Sequence, residues 1–142
     1  MPKRQDRIED GLRQLRFIDP VMAGMIRTVG PFVMKLERNR FWLLVRSILS
    51  QQISTKAART ICARVELLLD GKKTAHAVSS LTIEQLQTVG VSLRKSEYIL
   101  GLAREVETGN IPLAIIGRLN DEKAIELLTK VRGIGRWTAE MF

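Results

Sequence analysis

Residues 131–139, Val131-Arg132-Gly133-Ile134-Gly135-Arg136-Trp137-Thr138-Ala139, place two glycines one residue apart between two helical patterns. Upstream, Ala124, Ile125, Leu127 and Leu128 form an apolar helical run; downstream, a second pattern starts at Arg136 and stops at Phe142. Helix, tight hairpin and helix are predicted in that order. Glycine adopts positive φ without a Cβ clash and leaves no side chain to hold a partner's backbone away. The amides of Gly133, Gly135 and the first turn of the following helix have no intrahelical acceptor, and they carry the positive end of the helix dipole. An anion such as a phosphate suits that end. For Gly-x-Gly alone, a plain helix C-cap at Gly133 is the commoner explanation.

The rest of the chain shifts that balance. Its 142 residues carry a net charge of +8 and a pI near 10.3, with basic residues distributed from Lys3 and Arg4 through Arg38, Arg40, Lys56, Arg59, Arg94 and Lys95 to Arg132 and Arg136. A basic surface favours polyanions through the sequence-independent term that dominates non-specific nucleic-acid binding. A hydrophobic content of 45% is enough for one domain with a core, residues 1–142, and no linker-like stretch divides it. The lone cysteine, Cys62, excludes a disulfide framework or a cysteine-ligated cluster within this chain and reads as a small buried hydrophobe. No apolar run is of membrane-spanning length and Met1 to Asp10 lack a signal-peptide core, so a cytoplasmic or nucleoid location is expected.

Helical periodicity runs through the chain. Ile8, Leu12, Leu15 and Phe17 or Ile18 mark a helix from Arg4 to Ile18, and Asp19-Pro20 starts another to Thr28 that Gly30-Pro31 ends. Residues 31–38 read either as a short extended piece or as a loop. Phe41, Leu44, Val45, Ile48 and Leu49 form one core-facing stripe, ending near Gln51-Gln52. Ser54 then caps a helix that points Ala57, Ala58, Ile61, Val65 and Leu68 inward and finishes before Gly71. A helical turn over Ala75 to Ser79, a capping box at Thr82 and Gln85, a long helix from Ser92 to about Thr108, a turn at Pro112 and a cap at Asn120 complete the series. Strand signals are nearly absent. An all-α fold is expected, a compact array of short helices containing a helix-hairpin-helix.

Three stretches together resemble the helix-hairpin-helix DNA glycosylases, and within them the 3-methyladenine type: Ser47-Ile48-Leu49-Ser50-Gln51-Gln52-Ile53-Ser54-Thr55-Lys56-Ala57-Ala58, Gly90 to Ile99 with Arg94-Lys95, and Gly133-Ile134-Gly135-Arg136-Trp137-Thr138-Ala139. The resemblance covers Phe41 to Phe142 in the family's order. It implies a monomeric enzyme of base excision repair that grips duplex DNA, flips out an alkylated purine such as 3-methyladenine and hydrolyses its N-glycosidic bond. A nuclear location would apply in a eukaryote.

By resemblance, the amides of Gly133, Gly135 and Thr138 hold a phosphate, with Arg132 and Arg136 beside them. Arg132 stands where the family's hairpin carries proline. No cofactor is required, although a structural K+ or Na+ would bind the main-chain carbonyls of Thr129, Val131 and Ile134; no iron-sulfur cluster is expected in this chain.

Trp137 occupies the position that carries a catalytic lysine in relatives that also cleave the backbone. Without that amine no Schiff base forms, so a monofunctional glycosylase is implied. Trp137, with Met141 one turn on, would line the base pocket; the alternative is a core anchor. Gln52 matches the minor-groove wedge, while capping or loop roles for Gln51 and Gln52 stand equally open. Arg94 and Lys95 are more often a solvated helix face than a DNA contact, and His76 has no partner at ligand spacing. The catalytic aspartate lies beyond the hairpin's second helix in this family, hence beyond Phe142, so the chain would be C-terminally incomplete and release little base. Glu140 is expected to face solvent. A non-catalytic helix-hairpin-helix DNA-binding module is the alternative function.

Overall fold

The computed structural model describes residues 4–30, 32 and 37–142. Every regular element among them is helical, as expected. The chain divides into two compact units, Met1–Leu36 and Glu37–Phe142.

In the first unit, α1 (Arg4–Ile18) packs on α2 (Pro20–Val29). Asp19 starts α2 by accepting from the amides of Val21 and Met22 at 2.8 and 3.0 Å, and Pro20 at the first helical position needs no acceptor. Gly30 ends it at φ +88°. The apolar side chains here stay largely outside: Phe17, Ile18, Val21 and Val29 are all exposed, and among the described residues of this unit Ile26 alone is buried. The ambiguity over residues 31–38 falls mostly on residues outside those described.

The second unit holds α3 (Arg40–Ser50), α4 (Thr55–Leu68), α5 (Ala75–Ser79), α6 (Ile83–Thr88), α7 (Leu93–Glu107), a 3-10 turn (Ile116–Arg118), α8 (Asp121–Thr129) and α9 (Arg136–Glu140). Local chemistry sets the starts. Ser54, Thr74, Ser92 and Asn120 each accept from the amide three residues on, and Thr82 with Gln85 closes the capping box reciprocally.

The core of this unit gathers around α3 and α7. Trp42, Leu44, Val45, Ile48 and Leu49 of α3 meet Ile99, Leu102 and Ala103 of α7, with Leu86, Ile116 and Leu128 completing the interior. Burying such side chains contributes roughly 1.5–3 kcal/mol each. Cys62 is buried in the same cluster, as its small apolar character suggests. From α3, Arg40 reaches the turn after α7, donating to the carbonyls of Leu113 and Ala114 at 2.9 and 3.3 Å. The α8–α9 hairpin docks on this core through Leu128, Val131, Ile134 and Ala139.

Candidate nucleic-acid interface

The hairpin between α8 and α9 is built from its buried and its open residues together. Leu128, Val131, Ile134 and Ala139 are buried, which leaves Arg132, Gly135, Arg136 and Trp137 outside. Gly133 has φ +91°, and a Cβ there would collide with the Tyr98 ring. That residue must be glycine for both reasons.

Gly135 differs from expectation. Its backbone is extended, at φ −88° and ψ 170°, and it serves as the N-cap of α9 with open space where a Cβ would be. Only one of the two glycines therefore supplies positive φ; the other keeps the helix entrance clear. No side chain caps α9, and the amides of Gly133, Gly135, Arg136, Trp137 and Thr138 have no acceptor among the described residues. Open amides at a helix N-terminus suit a phosphate oxygen.

The two hairpin arginines are placed differently. Arg136 donates from Nε to Glu140 at 2.8 Å and from a terminal nitrogen to Glu122 at 3.0 Å, and the two carboxylates, Glu140 foremost, raise its pKa. Glu140 is thus exposed, as expected, yet occupied by an ion pair. The Arg132 guanidinium lies 6.0 Å from the Tyr98 ring centre, and Arg94 lies 5.5 Å from it while its Nε donates to the Tyr98 hydroxyl at 2.6 Å. Tyr98 was not singled out from sequence. Its contact with Gly133 spans two elements, and no local pattern announces it.

Trp137 is 75% exposed and Met141 69%, one turn apart on the same face of the second hairpin helix. The core-anchor alternative for Trp137 is overturned; Trp42 fills that role, 1% exposed inside α3. Of the carbonyls offered to a cation, those of Thr129 and Ile134 accept no hydrogen bond among the described residues, and that of Val131 accepts from the Ile134 amide at 3.1 Å.

Across from the hairpin, the α3–α4 junction carries Gln51 and Gln52. Gln51 caps α3 and donates from Nε2 to the Gly133 carbonyl at 2.7 Å. The capping alternative holds for Gln51. Gln52 is exposed and adopts φ +57°, a left-handed conformation that costs a non-glycine residue roughly 1–2 kcal/mol. Lys95 corrects the expectation of a solvated face: its ammonium is half-buried and donates to the carbonyls of Leu49 and Gln51 at 2.8 and 2.7 Å. His76 pairs with Glu107 at 3.0 Å, away from the hairpin.

The HhH-GPD superfamily of base excision DNA repair proteins has a model that matches residues 45–140, from the middle of α3 to the end of α9. The chain belongs to that superfamily. Among HhH-GPD relatives, it is 35% identical to DNA-3-methyladenine glycosylase 1 of Schizosaccharomyces pombe over 69% of its own length and 44% of that protein's. It is 31% identical to DNA-3-methyladenine glycosylase 2 of Escherichia coli, over 69% of this chain and 38% of the other. The chain thus spans less than half the length of these curated relatives. The solved structure of the Schizosaccharomyces pombe 3-methyladenine DNA glycosylase in complex with abasic DNA superposes with a TM-score of 0.85 at 29% identity, covering 93% of this chain and 67% of that one. The Bacillus halodurans DNA-3-methyladenine glycosidase gives 0.74 at 38% identity, over 82% of this chain and 54% of that one.

Proposed function

We propose that this protein is a monofunctional DNA N-glycosylase of base excision repair that removes alkylated purines, 3-methyladenine among them, from duplex DNA. One observation carries the reading: the uncapped N-terminus of α9 presents open amides beside the exposed pair Trp137 and Met141. A phosphate on the amides of Gly133, Gly135 and Thr138 would bring a flipped nucleotide within reach of the indole. Its π-face favours an electron-poor alkylated base. Arg132 adds charge nearby, and Arg136 would first have to leave its carboxylates. Gln52 would fill the gap in the stack.

The hydrolytic step needs a carboxylate to stabilise the cationic sugar, which the family resemblance places downstream of the hairpin's second helix. Glu140 is committed to Arg136 and does not offer it. An alkali cation on the Thr129, Val131 and Ile134 carbonyls would add positive charge for the phosphate. On this reading residues 1–142 belong to one C-terminally incomplete domain that acts as a monomer where DNA is kept, in the nucleoid-bearing cytoplasm or a nucleus. Among the described residues, no helix is long and apolar enough to cross a membrane.

The test is binding to a duplex with a single abasic-site analogue against the same duplex undamaged, alongside release of 3-methyladenine from methylated DNA. A preference of about tenfold for the abasic duplex, worth roughly 1.4 kcal/mol, is expected. Equal affinity for the two duplexes would instead support the non-catalytic binding module; residues 1–142 by themselves should release little base, because the resemblance places the carboxylate downstream.

A further inference from the structure

Gln52 makes a left-handed turn with no glycine to ease it, and the structure shows what opposes relaxation there. The last carbonyls of α3 lack intrahelical donors and carry the negative end of its dipole, where a cation is favoured. Lys95, from the first turn of α7, supplies it, with Nζ 2.8 Å from the Leu49 carbonyl and 2.7 Å from that of Gln51. These acceptors flank the approach to Gln52. The side chain of the same Gln51 is tied to Gly133 of the hairpin. A cleft of about 250 Å³ borders the turn, lined in part by Leu49, Gln52, Ile61, Val91 and Lys95.

We propose that Lys95 is a positioning residue for the wedge: its ammonium clamps the end of α3 and thereby holds Gln52 in the conformation from which its side chain enters the duplex. The inference rests on the wedge role assigned to Gln52. Lys95 touches no DNA in this scheme. Both its acceptors belong to the protein, and its charge works through the backbone of the turn.

The test uses the 142-residue chain and a duplex carrying 2-aminopurine, whose fluorescence rises when the base leaves the stack. Gln52→Ala, Lys95→Met, Lys95→Arg and the double variant Gln52→Ala/Lys95→Met are compared for fluorescence rise, binding of undamaged duplex and amide hydrogen exchange over residues 51–54. In the otherwise native chain, Lys95→Met should lower the fluorescence rise about tenfold and speed exchange at Gln52 and Ile53. Undamaged-duplex binding should stay within about threefold, because the hairpin grip is unchanged. In the Gln52→Ala background the same change should add almost nothing, the signature of residues acting as a unit. Lys95→Arg, which keeps a charged donor, should recover part of the signal. An equal loss in both backgrounds would show a general structural role and overturn the inference, as would an unchanged rise in Lys95→Met. No effect of Gln52→Ala alone would instead sink the wedge assignment beneath it. Should Lys95→Met not fold, Lys95→Arg carries the comparison: a reduced fluorescence rise together with faster exchange at Gln52 and Ile53 supports the clamp, and a native rise, or a lost rise with native exchange, overturns it.

Discussion

The side-chain amide of Gln51 donates to the carbonyl of Gly133 at 2.7 Å, joining two segments 82 residues apart in sequence. The end of α3 and the turn of the hairpin are therefore one assembly, and the two segments proposed to meet DNA as wedge and phosphate grip share a hydrogen bond. Gln51→Ala should destabilise the chain by about 1 kcal/mol, the ordinary net worth of such a bond. Gln51→Glu should cost more, since a carboxylate would face a carbonyl oxygen. Urea denaturation midpoints of the native chain and the two variants check the order; a Gln51→Ala midpoint equal to the native one would show that the bond carries no weight.

The two hairpin glycines should respond in opposite ways. Gly133→Ala forces a Cβ into the Tyr98 ring at positive φ, for which overpacking and backbone strain together predict a loss of about 2–4 kcal/mol. Gly135→Ala meets open space in extended backbone and should leave stability within about 0.5 kcal/mol. A bulky residue at 135 should nevertheless weaken duplex binding about tenfold, by blocking the α9 amides. Thermal melts paired with duplex titrations separate the two glycines; unchanged affinity in the bulky variant would remove the hairpin from the DNA interface.

Trp42 and Trp137 offer a matched pair of probes. Replacing buried Trp42 by alanine should cost about 3–5 kcal/mol, whereas Trp137→Ala should change stability by less than about 0.5 kcal/mol. In Trp42→Phe, the remaining Trp137 emission should be quenched on adding a duplex with an abasic-site analogue. Fluorescence that ignores the DNA would place the base pocket elsewhere.

Arg136 spends its guanidinium on Glu122 and Glu140, both on the open side of the hairpin. With side chains this exposed, the pairs contribute little to stability. In the proposed DNA grip they would matter more, because each carboxylate would repel a phosphate and occupies the arginine. Glu122→Gln/Glu140→Gln should bind undamaged duplex about fivefold tighter at low salt, with the gain fading as ionic strength rises. Affinities measured across a salt series decide it, and a weaker double variant would show that the carboxylates orient Arg136 for DNA.

The Cys62 thiol is held above its ordinary pKa of 9.0, mainly by desolvation and only partly relieved by Arg46. A raised acid stays neutral in the folded chain longer than in the unfolded one. The contribution of that neutral thiol is complete below pH 9 or so and declines as pH climbs through the folded value. Native protein should accordingly resist a thiol reagent at pH 8, reacting at the rate of global unfolding; rapid labelling would show that the thiol is reachable.

Helix starts were legible because a cap is local: Asp19, Ser54, Thr82 with Gln85, Ser92 and Asn120 each bond an amide two or three residues away. The apolar stripe of α3 was equally plain, since its period follows from helix geometry. Lys95 was misread for the opposite reason. Its acceptors lie 46 and 44 residues upstream, and a lysine in the first turn of a helix looks solvated until the neighbouring helix end is seen. Gly135 looked like Gly133 in sequence, and only the Tyr98 ring and the backbone angles separate them.

The turn at Gln52 is held by Lys95 from α7, through Gln51 from the hairpin and by the Ser54 cap of α4. An unrestrained segment would surrender about 1–2 kcal/mol of conformational entropy per residue on meeting a partner. Here that ordering is completed during folding, so on the proposed wedge role a duplex would meet a turn already set. Affinity at this junction would then reflect the energy of opening the base stack and little reorganisation of the protein.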